Sequence, residues 1–427
     1  MLIEATTQTI EGNVYILNGN DDLHVGAGVT IQSTYSDPLA HTGADAVISW
    51  TGVHTITVDG TIIGEDEAIN LIGVNEAQTV IIGATGVLIS GGDGVVNDAD
   101  GIILDGIGSS ITNAGTIDSY GSAASLNVRE GGTATVTNSG TMTGRVSGIW
   151  HKYGLGTLVV VNTGTITSPN HAVLGGDSTD LITNQGMMNG IVDLSAGNDV
   201  LDNRGGTIIG AIYGGEGDDL FRLAITAENI DGGNGFDTLD LSYLTSGVTI
   251  DLALPTANRG ASVLADSFTS IEAIWGTTKG DVLRGDAGNN LFLGKNGSDK
   301  LSGDDGADTL DGGAGKDTMT GGSGADIFIF STKNGGADTI TDFTTGTDKI
   351  HLEGSLFGHG SATGAISAGT FVTSTTNAAL DSNDRFIFRT TDGTLWYDRD
   401  GSGGKAAVMV ANLQDDAVLV VDDLWLI

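Results

Sequence analysis

Apolar residues recur every nine positions between Gly276 and Ile329, in fixed phase with glycines and acids. The six consecutive units read GTTKGDVLR, GDAGNNLFL, GKNGSDKLS, GDDGADTLD, GGAGKDTMT and GGSGADIFI. The eighth position is always large and apolar: Leu283, Phe292, Leu301, Leu310, Met319 and Phe328. A fixed short period predicts short strands stacked in a parallel β-solenoid, with the eighth residue facing its core. A flexible Gly-Asp linker is the alternative, but a linker has no reason to keep apolar residues in register.

A second, looser repeat precedes residue 212. Its kernel is a small polar residue, a glycine and then a Thr-apolar pair or close variant. The glycines of this kernel are Gly60, Gly86, Gly115, Gly140, Gly164, Gly186 and Gly206. Several copies carry an asparagine just before the glycine, suited to a turn or to an amide ladder between stacked coils: Asn113, Asn138, Asn162 and Asn184.

Short runs of alternating Val, Ile and Thr, such as Thr55–Val58, predict strands in this first half. No long apolar period of 3.6 residues occurs, so helices should be scarce. Rungs with three short strands each predict a parallel β-helix, and their shrinking length predicts a taper towards the nonapeptides. A globular β-sandwich with irregular hairpins is the alternative.

The nonapeptides also carry candidate chemistry. Their sixth positions hold an acid or amide, at Asp281, Asn290, Asp299, Asp308, Asp317 and Asp326. Glycines at the first, second and fourth positions permit sharp turns that leave carbonyl oxygens facing one small space with that carboxylate. Oxygen-only ligands suit Ca²⁺ rather than a soft metal, and Mg²⁺ is disfavoured because it demands strict octahedral geometry. The absence of Cys and the seven scattered His offer a soft metal little.

These units resemble the repeats-in-toxin (RTX) family, whose consensus is G-G-x-G-x-D-x-U-x with U large and apolar. Further copies lie at Gly214–Phe221 and Gly232–Leu239, and partial copies at Gly197–Leu201 and Gly336–Ile340. The resemblance implies a right-handed β-roll with two nonapeptides per turn and Ca²⁺ between loops of adjacent turns. Together with the looser repeat, this predicts an all-β architecture. It consists of a right-handed parallel β-helix of 20–29-residue rungs at 1–212, an RTX β-roll at 213–330 with a spacer rung at 240–276, and a C-terminal β cap with a type I secretion signal at 331–427.

Carried onto this sequence, the resemblance implies several Ca²⁺ ions, and no catalytic residue is assigned because no catalytic motif is found. The implied metal-binding positions are Asp199, Gly215, Gly217, Asp219, Gly233, Gly235, Asp237, Asp281, Asn290, Asp299, Gly303, Asp308, Gly312, Gly313, Asp317, Gly321, Gly322, Asp326 and Asp338. Asn290 replaces the consensus acid and Lys279 replaces a glycine. The N-terminal end of the run is therefore expected to bind weakly or not at all.

Charge and composition exclude some partners. With 54 acids against 17 Lys plus Arg, the formal charge of −37 excludes nucleic-acid binding, which needs basic clusters. The 69 glycines are more than twice the usual share, and no disulfide can form without Cys. The N-terminal residues do not read as a cleavable signal peptide, and no apolar run is long enough to span a bilayer.

The resemblance implies export by a type I secretion apparatus and a secreted or cell-surface location. Residues 417–427 combine acids with an apolar end and resemble an uncleaved secretion signal, although they also read as a final edge strand. Residues 337–343 and 346–350 resemble the segment that closes the roll in serralysin-type proteases. Phe386–Tyr397 reads as a hairpin turning at Asp392-Gly393.

Function is predicted from what the chain contains and lacks. The zinc-protease helix motif and the lipase nucleophile elbow are missing. The sequence therefore predicts a Ca²⁺-dependent structural protein, such as an adhesin, surface-layer or filament subunit, with a homo-oligomer and cell-surface or polysaccharide contacts as candidate partners. A polysaccharide lyase or epimerase using His151 near Tyr153 and Arg145 is the alternative, and a toxin or bacteriocin-like role is a third hypothesis.

Overall fold

The chain forms an all-β fold of short, mostly parallel strands in a computed structural model. The structure describes residues 1–34, 44–72, 76–91, 99–152, 155–223, 229–254, 259–260, 267–332, 337–358, 363–414 and 416–427. Two compact units result: unit 1 comprises residues 1–224 and 228–237, and unit 2 comprises residues 225–227 and 238–427. The boundaries expected at 212 and 330 stay predictions. None of the described helices has the length and hydropathy that a membrane span needs.

Unit 1 is a stack of parallel turns, and its earlier turns have three strands each. Its strands are Leu2–Glu4, Gln8–Glu11, Tyr15–Ile16, Asp22–Val25, Thr30–Thr34, Val47–Ser49, Thr55–Val58, Thr61–Gly64, Ile69–Leu71, Thr79–Ile82, Val87–Ser90, Ile102–Asp105, Ser110–Asn113, Thr116–Ser119, Ala124–Asn127, Thr133–Asn138, Thr141–Gly144, Ser147–Trp150, Thr157–Asn162, Thr165–Leu174, Leu181–Asn184, Met187–Asp193, Val200–Asp202, Thr207–Ile209, Ala211–Glu216, Leu220–Arg222 and Asn229–Asn234.

Register in unit 1 places like residues above one another. Val136 pairs with Ile111 on one side and Val160 on the other, and all three side chains are fully buried. Because side chains alternate along a strand, the intervening residues, such as Thr112 and Thr137, face outward. Stacked aliphatic rows therefore form the core of each turn, which confirms the predicted parallel solenoid and excludes the β-sandwich.

An asparagine ladder runs along one inner corner of unit 1. The side-chain amide of each asparagine donates to the amide oxygen of the next turn's asparagine at 2.7–2.8 Å. The ladder consists of Asn113, Asn138, Asn162, Asn184 and Asn203. Next to it the kernel glycines stack so closely that a Cβ on Gly164 would lie 2.1 Å from the carbonyl oxygen of Gly140. The predicted amide ladder is confirmed, and it extends one turn further than the sequence analysis indicated.

We expect Asn162→Ala to lower the free energy of unfolding by about 2–3 kcal/mol, because it leaves buried amide groups of two neighbouring turns without partners. The matched control is Asn189→Ala, since Asn189 is an exposed residue of the strand Met187–Asp193 and should change stability by about 0.5 kcal/mol or less. Urea unfolding of both variants measures the difference. Equal effects of the two substitutions would show that the ladder contributes nothing beyond ordinary polar contacts.

Unit 2 contains the nonapeptides and the C-terminal segment. Its strands are Thr238–Asp240, Val248–Asp251, Arg259–Gly260, Ser267–Thr269, Ala273–Trp275, Val282–Arg284, Leu291–Leu293, Asn296–Gly297, Lys300–Asp305, Thr309–Asp311, Ala314–Gly315, Thr318–Ser323, Ile327–Phe330, Asp338–Ile340, Lys349–Leu352, Gly364–Ala365, Phe371–Ser374, Phe386–Arg389, Thr394–Tyr397, Val408–Asn412 and Leu424–Leu426, with 3-10 helices at Ala368–Thr370 and Val421–Asp423.

Two consecutive nonapeptides make one turn of unit 2. Phe292 pairs with Leu310 in one sheet, while Leu301 pairs with Met319 in the other. All six eighth-position side chains are buried, at 2% exposure or less. This arrangement confirms the expected β-roll and excludes a flexible linker.

Most of the remaining segments of unit 2 join the sheets of the nonapeptides. At the two ends of the predicted spacer, Thr238–Asp240 pairs with Ala273–Trp275 and Val248–Asp251 pairs with Val282–Arg284. Its residues 255–258 and 261–266 lie outside the described residues. The hairpin expected across Asp392-Gly393 is confirmed by antiparallel pairing of its two strands. Within 417–427, Leu424–Leu426 pairs in parallel with Lys349–Leu352, so part of the predicted secretion signal is a strand in the folded chain.

Candidate calcium-binding site

The sixth-position residues of the nonapeptides stack into two columns in unit 2, one on each side of the roll. Column A contains Asp281, Asp299, Asp317 and Asp338, and column B contains Asn290, Asp308, Asp326 and Asp348. A third column in unit 1 contains Asp180, Asp199, Asp219 and Asp237. The strand that follows each of these residues fixes its height in the stack, because the next-but-one residue is buried in the core.

Backbone amides hold each column together. The N–H of Asp281 donates to Oδ1 of Asp299 at 2.7 Å, and the N–H of Asp299 donates to Oδ1 of Asp317 at 2.8 Å. Column B repeats the pattern from Asn290 to Asp308 at 2.7 Å and from Asp308 to Asp326 at 2.9 Å. Every such bond joins one turn to the next, so one carboxylate oxygen of each aspartate is used structurally.

The second carboxylate oxygen is the one that suits a cation. It is buried and accepts no hydrogen bond from any described residue in Asp199, Asp219, Asp299, Asp308, Asp317 and Asp326. A buried carboxylate oxygen without a donor costs free energy unless a cation or proton neutralises it. The six unpartnered oxygens therefore fit an ion better than they fit an apoprotein core.

The first glycine of some units leaves space that this oxygen shares with a carbonyl of the next turn. A Cβ placed on Gly303 would lie 2.0 Å from Oδ2 of Asp308 and 2.6 Å from the carbonyl oxygen of Gly321. On Gly294 the corresponding distances to Asp299 Oδ2 and Gly312 O are 2.6 and 2.7 Å. Carboxylate and carbonyl oxygens thus converge on one small space, which is the donor set that Ca²⁺ takes at about 2.3–2.6 Å.

The other predicted glycine positions serve close stacking of the loops. A Cβ on any of them would meet an oxygen or carboxyl group of the same or the adjacent loop within 1.7–2.6 Å, as found for Gly215, Gly217, Gly233, Gly235, Gly312, Gly313, Gly321 and Gly322. Gly322 also has φ +103°, a conformation that side chains with a Cβ rarely adopt. These residues therefore bring the carbonyl groups of neighbouring turns close to the columns.

The column ends differ from their centres. Both oxygens of Asp281 already accept hydrogen bonds, from the N–H of Val248 and from the N–H and hydroxyl of Thr277. The amide oxygen of Asn290 accepts the N–H of Asp286 at 3.1 Å. These contacts leave Asp281 and Asn290 fewer oxygen lone pairs for an ion. This is the direction of the sequence-based prediction that the N-terminal end of the run binds Ca²⁺ weakly or not at all.

Sequence analysis missed Asp180 and Asp348, which extend the columns beyond the nonapeptides. The N–H of Asp180 donates to Asp199 Oδ1 at 2.6 Å, and the N–H of Asp326 donates to Asp348 Oδ1 at 3.0 Å. Both aspartates stand directly before a strand, as Asp199 and Asp326 do. Gly175, Gly176 and Asp180 also repeat the first, second and sixth positions of the nonapeptide, and Gly346 stands at the fourth position relative to Asp348, so these were the available indications. Of the partial copy at Gly336–Ile340, Gly336 lies outside the described residues and Asp338 occupies column A.

Burial is the main cause of the raised carboxyl pKa values of several column aspartates, and nearby carboxylates add to it. The pKa rises to about 8 for Asp199, to about 7 for Asp299 and Asp338, and to about 6 for Asp219 and Asp308. Donation from the backbone N–H of the preceding turn opposes these shifts. Without a cation, the columns are therefore more stable with some carboxyls protonated.

We expect the calcium-free protein to melt at a higher temperature near pH 5 than near pH 8. A carboxyl whose folded-state pKa lies above its unfolded value of about 3.9 stabilises the fold at low pH, and that stability is lost as pH rises through about 6 to 8. In millimolar Ca²⁺ the trend should weaken or reverse, because the ion binds the deprotonated ligands. Scanning fluorimetry on protein desalted into calcium-free buffer tests this, and a pH-independent melting temperature there would contradict it.

The predicted catalytic grouping around His151 is only partly assembled. His151 is buried with Nδ1 3.2 Å from a carboxylate oxygen of Asp180. Arg145 instead stacks on the ring of Tyr120, 3.9 Å from its centroid, and pairs with Asp118. Tyr153 lies outside the described residues.

Comparisons with known proteins place the repeats in a family. Residues 270–301 and 293–328 match the family model of the RTX calcium-binding nonapeptide repeat. None of the curated proteins matches the sequence. Among solved structures, the AlgE6R3 subunit of the Azotobacter vinelandii mannuronan C5-epimerase is similar at 27% identity, over 34% of this chain and 78% of that chain, with a TM-score of 0.24.

A second similar structure is the extracellular lipase LipA from Serratia marcescens. It shares 16% identity over 69% of this chain and 44% of that chain, so the chain spans less than half of the lipase, and the TM-score is 0.20. RTX repeats bind Ca²⁺ and are typical of proteins secreted by type I systems. Stacked turns, convergent oxygens and the matched family model lead to one conclusion: the chain carries RTX calcium-binding nonapeptide repeats over residues 270–328.

Proposed function

We propose that the protein is an extracellular structural protein of the cell surface or matrix, an adhesin, surface-layer or filament subunit, which folds on binding Ca²⁺ after type I export. The observation that carries this proposal is the set of buried aspartate oxygens without partners among the described residues. A fold that stacks carboxylates in its interior needs cations to be stable, and its environment then decides whether it forms.

The Ca²⁺ concentration of the environment determines whether the fold forms. Ca²⁺ sites of the extracellular class have dissociation constants of about 10⁻⁴–10⁻³ M and stay empty in a cytosol. There the net charge of −37 favours an extended, exportable chain. Outside the cell the sites fill, and the binding free energy becomes folding free energy.

The interiors of both units support a structural role. In the described residues, the turns of unit 1 are filled by aliphatic rows and the asparagine ladder, and those of unit 2 by the eighth-position residues and two aspartate columns. Such quasi-one-dimensional stacks are stable through contacts between neighbouring turns. They provide a long repetitive surface, which suits contacts with a second copy, a cell surface or a polysaccharide.

Electron microscopy of the full-length protein before and after Ca²⁺ addition tests the structural role. Ordered filaments or lattices that form in Ca²⁺ and dissolve in EGTA are the expected result. Alginate and pectin depolymerisation are assayed on the same samples. Dispersed particles in Ca²⁺, together with product release from either polysaccharide, would overturn the proposal in favour of an enzyme.

A polysaccharide-active enzyme is the second candidate, and the His151–Asp180 pair favours it. Nδ1 of His151 faces the Asp180 carboxylate, while Nε2 has no hydrogen-bond partner among the described residues. The pair adjoins a groove lined by Trp150, Leu174 and Gly175. A histidine oriented by a carboxylate is a common arrangement for proton abstraction. Loss of polysaccharide cleavage in His151→Gln, but not in the control His171→Gln, would support this candidate.

A further inference from the structure

Three carboxylates meet in unit 1, far along the chain from the nonapeptides. One carboxylate oxygen each from Asp45, Asp66 and Glu67 lies within 4.8 Å of the other two. The fold brings them together because Asp45 precedes the strand Val47–Ser49 and Glu67 precedes Ile69–Leu71, and these strands pair in register. The three residues, called the rung cluster below, therefore occupy the same corner of two adjacent turns.

The backbone around the rung cluster is fixed. The N–H of Ala46 donates to the carbonyl of Glu67 at 3.1 Å, and the N–H of Asp45 donates to the side chain of Asn13 at 3.0 Å. Asp45 itself is only 2% exposed. The pairing of the two turns therefore fixes the backbone of Asp45 and Glu67 next to each other.

Two buried oxygens at the rung cluster lack a donor. Oδ1 of Asp45 has no hydrogen-bond partner among the described residues, and neither has Oδ1 of Asn70. Asn70 is only 8% exposed, and its amide is turned towards the cluster, with Nδ2 3.1 Å from Asp45 Oδ2. Asn70 is not one of the clustered acids, so its unpartnered oxygen independently indicates that a hydrogen-bond donor or a cation is missing at the cluster.

The charges at the rung cluster also indicate that a positive species is bound there. Three carboxylates whose oxygens lie within 4.8 Å of one another repel each other unless a positive species neutralises them. Two neutralising species are therefore conceivable at neutral pH, a proton on Glu67 or a bound cation. The two buried oxygens that lack a hydrogen-bond donor favour the cation over the proton. One proton can satisfy only one acceptor oxygen, whereas a cation is coordinated by several oxygens at once.

We propose that Asp45, Asp66, Glu67 and the side-chain oxygen of Asn70 bind a divalent cation in unit 1. The donor set consists only of carboxylate and amide oxygens, which selects Ca²⁺ over zinc or copper. The ion cross-links two adjacent turns, since Asp45 and Glu67 belong to different turns. The first turns of unit 1 thereby acquire a calcium dependence of their own, separate from the aspartate columns.

Hydrogen–deuterium exchange on the full-length protein tests the site. The variant is Glu67→Gln, and the matched control is Glu76→Gln, which removes the same charge from a partly exposed residue outside the cluster. In millimolar Ca²⁺, peptides covering 44–72 should exchange about 10-fold faster in Glu67→Gln than in wild type or Glu76→Gln. Peptides covering 276–330 should be equally protected in all three proteins. This internal reference distinguishes failure of the rung-cluster proposal from failure of the calcium-dependent folding proposed above.

Calorimetric titration with Ca²⁺ gives a second measurement. Glu67→Gln should bind one ion fewer than wild type and Glu76→Gln. Unchanged stoichiometry and unchanged exchange at 44–72 would overturn the proposal. It would equally be overturned if Glu67→Gln protects 44–72 better than wild type both with and without Ca²⁺, because that result identifies a shared proton. If Glu67→Gln does not fold, Asp66→Asn is compared with Glu76→Gln in the same way.

Discussion

Removing Ca²⁺ from the purified protein is expected to unfold the nonapeptide roll of unit 2. Four of its column aspartates, Asp299, Asp308, Asp317 and Asp326, bury a carboxylate oxygen that no described residue neutralises. Their Oδ1 atoms are tied to the preceding turn, so the carboxylates cannot turn outward while the strands stay paired. Without ions the repulsion within the columns is relieved only by protonation or by separation of the turns.

The expected effect is large. Each ion bound with a dissociation constant of about 10⁻⁴–10⁻³ M stabilises the fold by about 1.4–2.7 kcal/mol at about 10 mM Ca²⁺. Several such ions together match the stability of an ordinary domain, about 5–15 kcal/mol. Far-UV circular dichroism in EGTA should show a reversible loss of β signal, and amides of residues 276–330 should lose their protection from exchange.

Magnesium provides the control for this experiment. Because Mg²⁺ requires tighter octahedral geometry and keeps its waters, the same concentration of Mg²⁺ should not restore the β signal. A β spectrum unchanged by EGTA would contradict calcium-dependent folding. Full recovery in Mg²⁺ would contradict the assignment of the columns to Ca²⁺.

Gly322→Ala is expected to destabilise unit 2 by at least about 3 kcal/mol, or about 6–12 °C in melting temperature. The new Cβ would lie 1.7 Å from the carbonyl oxygen of Asp304, and Gly322 has φ +103°. Relief requires the strands Lys300–Asp305 and Thr318–Ser323 to move apart, which breaks their hydrogen bonds and displaces the loop carbonyls.

Gly346→Ala separates the contribution of stacking from that of backbone strain. Gly346 has φ +79°, but a Cβ there would have no atom within 4 Å. It should therefore cost only the strain of the left-handed conformation, about 1–2 kcal/mol. Thermal melts of both variants in saturating Ca²⁺ make the comparison, and equal losses would show that the turns are not packed as closely as described.

The sequence predicted the parts of the fold in which the nine-residue period continues without interruption. Asp308 and Asp326 could be placed in one column because their spacing and the apolar residues after them repeat without interruption. The step from Asp326 to Asp348 is longer, since the loop between them no longer follows the nonapeptide. Periodicity alone could not place Asp348, because a turn of different length can still bring its aspartate to the same height.

The rung cluster was not predictable from spacing at all. Asp45 and Glu67 are neighbours only because the strands that follow them pair, and turns of unit 1 vary in length. Likewise Asn203 follows a different local pattern from Asn184, yet it accepts the next bond of the amide ladder at 2.7 Å. In both cases pairing between turns, which is a tertiary property, determines the contact.

The two-sided arrangement of the nonapeptides restricts how such a protein can change its length. A duplication of 18 residues would add a complete turn and restore every amide-to-carboxylate bond, because Asp281, Asp299 and Asp317 are separated by that interval. An insertion of a single nonapeptide would instead rotate everything downstream by half a turn and attach it to the opposite side of the roll. Genetic gain or loss of repeats is therefore tolerated in pairs, so that lineages of this protein should differ by even numbers of units.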